Sequence, residues 1–420
     1  MRGNGFVLIL SIAFFILIDW YVFTGVKALT DLLSPNARKW IHISYWTVTA
    51  WSISVLLATF AGYFHAWPMW FLTLSMCVIM VLLLCKIIFI LFLIVDDLKR
   101  LVQFVFGKFT STGSVDTADI AKGISRSDFL LKAGLFVSAI PFVGMTYGVL
   151  VGAHDYTVRR KRVVLKNLPK AWNGLKIVQL SDIHAGSFYN KAAVERGIAL
   201  VMKQKPDIIF FTGDLVNNIA AEMDEYIDVF GKLSAPLGIY STLGNHDYGD
   251  YVAWETPEAK RENLNQLIGV HKKMGWDILM NEHRILKREG SEIAILGIEN
   301  WGAKGNFPKY GKMHKAYPGT EHVPVKLLLS HDPSHWDAEI LEKYKDIDIM
   351  FAGHTHGMQF GIEKGPIKWS PVQWMYKQWA GLYEKQGQYL YVNRGFGFLG
   401  FPGRVGMAPE VTVMELISGQ

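Results

Sequence analysis

Five short segments in the C-terminal part of the chain carry side chains able to hold divalent cations: Asp182-Ile-His184, Gly213-Asp214, Gly244-Asn245-His246-Asp247, His331 and Gly353-His354-Thr355-His356. Carboxylates and imidazoles are hard-to-borderline donors. Side-chain direction in extended chain repeats every two residues, so Asp182 and His184 can face one ion together. By the same geometry His354 and His356 deliver two imidazoles, which bracket a two-metal site if one faces each ion. Asp214 follows a glycine that permits a tight turn, and its two oxygens can bridge two ions. Asn245 offers a carbonyl oxygen and His331 a further ring nitrogen. Oxygen and nitrogen donors without sulfur suit manganese, iron or zinc.

Groups so far apart in sequence meet only if strands carry them to one edge. Leu175 to Leu180, Ile208 to Thr212, Ile239 to Leu243 and Ile347 to Ala352 are short apolar runs that end just before four of the segments, and Val325 to Leu329 precedes His331. Such runs read as strands buried on both faces, and open α/β sheets place their chemistry at the C-terminal ends of such strands. Amphipathic helices are expected over Lys191 to Lys203 and Ala221 to Leu233. Ile285 to Lys287, Ile293 to Leu296, Val325 to Leu329 and Val411 to Leu416 are strand-like with fewer helices between them, which suggests a second, mixed sheet. The expected fold of residues 155–420 is therefore an α/β domain, with two packed mixed β-sheets flanked by helices in four layers.

This ordered set resembles the calcineurin-like metallophosphoesterases, whose pattern is D-x-H, G-D-x-x-D, G-N-H-[DE], a lone His and G-H-x-H. The likeness covers residues 172–417. It implies a binuclear phosphohydrolase in which Asp182, His184 and His356 hold one divalent metal, Asn245, His331 and His354 hold the other, and Asp214 bridges them. It also implies that His246 is a catalytic imidazole outside the ligand set, oriented by Asp247. One position departs from the pattern: Asn217 stands where the G-D-x-x-D motif ends in a carboxylate. That position supports the ligands rather than the metal, so the change is expected to tune the site. The N-terminal apolar runs, Leu168-Pro169, Asn393-Arg394-Gly395 and Pro409-Glu410 are similar to the bacterial membrane-anchored branch of the family.

The 420 residues are 50% hydrophobic, and the excess is concentrated in the first part of the chain. Gly5 to Val26, Ile41 to Phe64, Trp70 to Val95 and Phe129 to Gly152 are each long enough to cross a ~30 Å hydrocarbon core. They lack the polar face of a soluble helix. Trp20, Tyr21, Trp40, Trp67 and Trp70 near the run ends fit an interfacial aromatic belt. Residues 1–154 thus read as a membrane domain of four transmembrane helices. Arg2 alone precedes the first run and no small-residue cleavage pattern follows it, so the run reads as a retained anchor. Ser125-Arg126-Ser127-Asp128-Phe129-Leu130 resembles a twin-arginine export signal lacking its second arginine. The expectation is a multi-pass protein of the bacterial inner membrane with an extracytoplasmic catalytic domain. Asp19 and Lys86 fall at similar depths in runs of the same direction. Either they pair, or Asp19 reaches the interface and Lys86 snorkels.

The formal net charge of +6 includes Arg159-Arg160-Lys161-Arg162, just past the fourth run. That placement suits anionic headgroups, and no aromatic-interleaved basic stripe makes nucleic acid an expected partner. Both cysteines, Cys77 and Cys85, lie in the third run, which leaves the C-terminal part without a thiol. Trp369, Trp374, Tyr376, Trp379 and Tyr383, interleaved with Lys368 and Lys377, either pack as core or dip into a bilayer surface beside the site. In the second case the phosphorylated substrate is lipid-linked. Two other classes fit less of the chain. A catalytically silent metal-binding sensor is disfavoured by the complete ligand set and His246, and a transporter is favoured only by Asp19 and Lys86.

Overall fold

A computed structural model of the chain describes residues 5–60, 67, 69–110 and 127–419, in two compact units, Met1–Thr146 and Tyr147–Gln420. Arg2, Phe64, Ser125 and Arg126 lie outside the described residues.

Helices α1 (Gly5–Thr30), α2 (Pro35–Phe60), α3 (Met69–Thr110) and α4 (Asp128–Leu150) are each long and apolar enough to cross a membrane. Ile9, Phe14, Leu17, Leu91 and Phe136 stand exposed on them, as side chains solvated by lipid do. Their inner faces bring Ile18 and Val22 of α1 against Phe89 and Leu93 of α3 and Leu131 of α4. Small residues permit that approach: a Cβ on Gly25 would stand 2.7 Å from Phe89 Cε1, and one on Gly134 would stand 2.8 Å from Phe92 Cβ. Of the two alternatives for Asp19 and Lys86, the structure shows the pair. The Lys86 ammonium meets the Asp19 carboxylate, and Tyr45 donates its hydroxyl to the same group at 2.8 Å. Helix α3 also runs on to Thr110, well past the end of the third apolar run at Val95. Asp96 and Asp97 both pair with Arg100 one turn on, and the apolar residues that follow continue the helix.

The second unit contains two six-stranded mixed sheets. The first is ordered β1-β14-β2-β3-β4-β5, built from β1 (Thr157–Leu165), β2 (Leu175–Leu180), β3 (Ile208–Thr212), β4 (Ile239–Thr242), β5 (Asp277–Ile278) and β14 (Glu410–Ser418). The second is ordered β12-β13-β9-β8-β7-β6, built from β6 (Glu282–Arg288), β7 (Ser291–Gly297), β8 (Lys326–Leu329), β9 (Ile349–Ala352), β12 (Gly381–Lys385) and β13 (Gln388–Val392). A separate hairpin pairs β10 (Ile362–Lys364) with β11 (Ile367–Trp369).

Strand alternation explains the layers. Ile177, Ile208 and Phe210 point inward with Leu327, Ile349 and Phe351 of the opposite sheet to form a core between the sheets. Their neighbours Val178, Ile209 and Phe211 point outward, under helix α5 (Lys191–Lys203) and helix α6 (Pro257–Lys273). Leu328 and Met350 do the same on the far side, under Trp336 and Ile340. Both faces of β2, β3, β8 and β9 are therefore covered, as their unbroken apolar composition requires. Capping fixes both long helices. Asn190 accepts from Ala193 N–H ahead of α5, and Thr256 accepts from Ala259 N–H ahead of α6, whose first residue is Pro257.

Two expectations are corrected. Val411 to Leu416 does not join the second sheet: β14 inserts into the first, parallel to β1 and antiparallel to β2. An apolar pattern says that a strand is buried but not which sheet takes it. The helix expected over Ala221 to Leu233 is broken into single turns, Ala220–Met223 and Ile227–Phe230. Glu222 is drawn out of that helix to accept the backbone N–H groups of Asn217, Asn218 and Ile219.

Candidate metal centre

Every segment singled out from the sequence emerges from the C-terminal end of a parallel strand, and both sheets contribute. Asp182 and His184 follow β2, Asp214 follows β3, and Asn245, His246 and Asp247 follow β4; His331 follows β8, and His354 and His356 follow β9. The turns after these strands are sharp. Asp182, His184, Asp214, His354 and His356 all have φ between 50° and 70°, in the left-handed region that costs a non-glycine residue about 1–2 kcal/mol each. Strain of this kind persists only where surrounding structure over-determines it, and it gathers at functional sites. Glycine permits the closest approaches. Gly213 has φ +94°, and a Cβ there would fall 2.5 Å from Gly244 N; a Cβ on Gly353 would collide with the Asp182 carboxylate.

Two clusters result. Asp182, His184 and His356 have donor atoms within 4.8 Å of one another, as do Asp214, His331 and His354. Asp214 Oδ2 stands 3.1 Å from His331 Nε2 and 3.6 Å from His184 Nε2, so it touches both clusters. Asn245 Oδ1 lies 2.8 Å from His354 Nδ1. Inside each cluster, ring nitrogens face each other: His184 Nε2 and His356 Nε2 are 3.0 Å apart, and His354 Nδ1 and His331 Nε2 are 3.3 Å apart. Opposed lone pairs at such distances need a proton or a cation between them. The residues therefore fit a pair of divalent ions, and the donor set is oxygen and nitrogen throughout. Outer partners fix the rings. The acceptor-only carbonyl of Thr212, 2.7 Å from His331 Nδ1, places that nitrogen's proton there and leaves Nε2 free to ligate. Tyr376 Oη lies 2.9 Å from His354 Nε2, and Arg404 Nη2 lies 3.2 Å from His356 Nδ1.

The electrostatics follow from burial and from the imidazoles. Burial raises the Asp214 pKa, yet His331, His246 and His184 outweigh it and hold the carboxyl well below its ordinary range. Asp182 is likewise pushed up by burial and pulled below its usual value by His356. Burial lowers His184 to about 3, whereas at His331 the Asp214 carboxylate overcomes burial and raises the ring to about 10. Each carboxylate accepts a backbone N–H from an opposing loop: His354 N–H donates to Asp182 at 2.9 Å, and His246 N–H donates to Asp214 at 2.9 Å.

His246 lies beside the clusters, its ring 5.0 Å from that of His184. The expectation that Asp247 orients this imidazole is corrected. Asp247 is fully buried and accepts N–H groups from Gly244, Asp214, Leu215 and Val216, so it ties the second and third motif loops together. With desolvation dominant, its carboxyl is pushed up to about 7. The group bonded to the imidazole is the carbonyl of Asn217, 2.8 Å from His246 Nδ1. Asn217 itself is supported by Glu222, which accepts its N–H at 2.5 Å, while its side-chain amide bonds Ser187. A carboxylate missing from the end of the second motif is thus present under the same loop, supplied by a residue five positions later. Glu222 and Arg404 are not singled out from sequence, and Tyr376 is read there only as one of an aromatic segment, without its contact to His354. No fixed spacing ties them to a motif, and only the fold brings them to it.

A family model for the probable calcineurin-like phosphoesterase transmembrane domain matches residues 1–153, and one for the calcineurin-like phosphoesterase domain matches residues 175–358. The chain belongs to the calcineurin-like metallophosphoesterases, a family of metal-dependent phosphoester hydrolases, and it is a membrane protein. A "Transmembrane protein with metallophosphoesterase domain" from Danio rerio is 28% identical over 74% of this chain and 67% of its own length. The "Uncharacterized metallophosphoesterase YkuE" of Bacillus subtilis is 28% identical over 71% of this chain and 99% of its own. "UDP-2,3-diacylglucosamine pyrophosphatase LpxG" of Chlamydia trachomatis is 28% identical over 55% of this chain and 81% of its own. The first solved structures that resemble the chain are longer, and it spans about half their length, 45% to 57%.

Proposed function

We propose that this protein is a membrane-anchored binuclear phosphohydrolase, with residues 1–154 as its anchor and residues 155–420 as its catalytic domain. In this reading Asp182, His184 and His356 would hold one metal ion and Asn245, His331 and His354 a second, with Asp214, which touches both clusters, shared between them. The ions are manganese, iron or zinc. The observation that carries the reading is the convergence of these groups from both sheets, with two buried carboxylates and four opposed imidazoles but no lysine or arginine pairing with either acid among the described residues.

When bound, the two ions supply an activated water and polarise the phosphoryl oxygens. The protein's own groups do the rest. The Asn217 carbonyl accepts from His246 Nδ1 and so leaves Nε2 as the atom that holds or releases a proton at the leaving oxygen. Tyr251 packs its ring 4.5 Å from His246 and bonds the Asn245 side chain at 2.8 Å, steadying imidazole and ligand together. Asp247 keeps the loops that carry Asp214 and His246 in register.

The substrate we propose is a lipid-linked phosphoester or pyrophosphate. The aromatic segment divides: Tyr376 and Trp379 are buried, whereas Trp374 is 75% exposed, beside Met375. An exposed apolar tip one residue from a core tyrosine that touches His354 suits entry from a bilayer surface. The relative from Chlamydia trachomatis is named for a diacylated substrate. Residues 125–130 lead us to place the catalytic domain outside the cytoplasm of a bacterial inner membrane; protease cleavage of that domain in intact spheroplasts is expected, and protection reverses the placement.

One experiment tests the whole reading. Purified full-length protein with Mn²⁺ is assayed on a soluble chromogenic phosphodiester and on micellar lipid phosphates, with metal content measured alongside. His246→Ala should keep its metals and lose roughly 10²–10⁴-fold in kcat. Trp374→Glu should slow only the micellar substrates. Turnover unchanged in His246→Ala, or stoichiometric metal binding without turnover in the wild type, leaves the silent-sensor reading in its place.

A further inference from the structure

A second cluster of charge includes Arg394 and shares no residue with the metal centre. Here strand β1, at the edge of the first sheet, faces strand β12, at the edge of the second, across a cleft of about 410 Å³. Its walls carry Arg159, Lys161, Lys368 and Arg394, with Glu363 among them. Alternate residues of a strand share a face, so Arg159 and Lys161 lie on one side of β1. Arg160 and Arg162 are engaged separately, with Gln204 and Glu415. Hairpin register likewise sets Glu363 opposite Lys368 on one face, and leaves Ile362 and Ile367 on the other, 53% and 57% exposed.

The charges do not cancel. Arg159 and Arg394 face Glu363 and Glu410 two against two, with Arg394 bonding both acids at 2.6 Å and Arg159 bonding Glu363 at 2.6 Å. Lys161 and Lys368 add two ammonium groups that no carboxylate meets among the described residues. The Lys368 ammonium is held in place over the rings of Trp379 and Tyr383, at 4.8 Å and 5.1 Å. Two donors in the same walls are left over. The Arg394 side chain is only 3% exposed, and its buried Nε has no hydrogen-bond partner; Arg159 Nε also lacks a hydrogen bond, with the Glu410 carboxylate 3.7 Å away. Buried guanidinium N–H groups without acceptors are rare and costly, and an anion with several oxygens is the group that satisfies them.

We propose that this cleft binds the phosphate of an anionic lipid, at a site distinct from the metal centre and independent of its metals. Two features favour a lipid over free phosphate. The hairpin that carries Glu363 and Lys368 into the cleft shows an exposed apolar face on its other side, an arrangement suited to a headgroup on one face and acyl chain on the other. In addition, the candidate span that ends at His154 is followed five residues later by Arg159. Five residues of extended chain reach at most about 17 Å, which keeps the cleft close to the headgroup layer where basic side chains bind anionic lipid.

The test uses the full chain in uncharged detergent, stripped with EDTA so that the metal centre takes no part. Fluorescent phosphatidic acid is titrated against wild type, Lys161→Gln/Lys368→Gln and Ile362→Ser/Ile367→Ser, with melting temperatures recorded on the same samples. Fluorescent diacylglycerol and competing inorganic phosphate are the control arms. Saturable binding of phosphatidic acid is expected, weakened about tenfold when the two lysines are neutralised. The isoleucine variant should weaken the lipid and leave any inorganic phosphate binding unchanged. The proposal is overturned if both lysine-bearing and lysine-free proteins bind alike with equal melting temperatures, or if diacylglycerol binds as well as phosphatidic acid. It is equally overturned if no saturable binding occurs. Inorganic phosphate that displaces the lipid at equal concentration would make the occupant a soluble phosphate and remove the lipid assignment.

Discussion

Asp19 sits among apolar helices with 2% of its side chain exposed, and its charge is answered on the spot by the Lys86 ammonium and the Tyr45 hydroxyl. Asp182 and Asp214 are buried as completely, yet among the described residues no ammonium or guanidinium pairs with either of them; imidazoles surround them instead. The first cluster is closed, with one cation and one donor for one carboxylate. The second is open, with two acids drawn toward four rings whose nitrogens face one another. A closed cluster holds structure together and gives up stability when either partner is removed. An open one keeps donor atoms facing one another and gains from a cation that enters it.

The largest expected effect separates these two cases. Asp214→Asn keeps the shape of the side chain and removes the bridging charge. Metal content should fall, and hydrolysis should drop on the order of 10³-fold or more. Added Mn²⁺ should raise the melting temperature of wild type and do little for the variant, because an open cluster gains from a cation that enters it. A melting temperature raised equally in both proteins would mean that Asp214 holds no metal, and the contrast with Asp19 would disappear.

The two clusters also differ in how far sequence discloses them. The residues of the candidate metal centre are legible because their segments follow apolar runs in a fixed order, and Asp214, Asn245 and His354 each stand next to a glycine; strands that end together then bring them to one edge. The Asp19 and Lys86 alternatives stayed open, because hydropathy gives depth along a helix but not which faces turn together. Strand β14 was seen as a strand and assigned to the wrong sheet, since alternation carries no information about neighbours. Asp247 was given the imidazole because adjacency in sequence suggests contact. The 3₁₀ turn at His246–Tyr248 instead sends the carboxylate back to four backbone N–H groups. Glu222 was missed altogether, because a turn rather than a repeat brings it under Asn217.

The closed cluster yields the next effect in size. Lys86→Met leaves a carboxylate buried without its partner, at a cost of about 3 kcal/mol, and Asp19→Asn strands the ammonium in the same way. Reversing both charges, Asp19→Lys with Lys86→Asp, should recover much of the membrane yield and melting temperature lost by either reversal alone. A double variant no better than the singles would show that the two charges, though in contact, are not energetically coupled.

The smallest effect tests a support of the open cluster. Both oxygens of the Glu222 carboxylate accept backbone N–H groups, one from Asn217 and the other from Asn218 and Ile219, and the Asn217 carbonyl in turn fixes His246. In Glu222→Gln, one of those oxygens becomes an NH₂ that meets an N–H donor, so the loop must shift. The expected loss is roughly tenfold to a hundredfold, carried by kcat with KM and metal content little changed, because the residue acts through the imidazole. Its pH signature has a definite sign. Burial raises the Glu222 pKa above its ordinary value of 4.5 despite the backbone donors. The folded protein therefore takes up this proton at a higher pH than an exposed glutamate would, and the clamp weakens as pH falls through that raised value. Wild-type kcat should show an acidic limb there that Glu222→Gln lacks. A variant that loses KM or metal instead, or that keeps the limb, would show that Glu222 does no more than shape the loop.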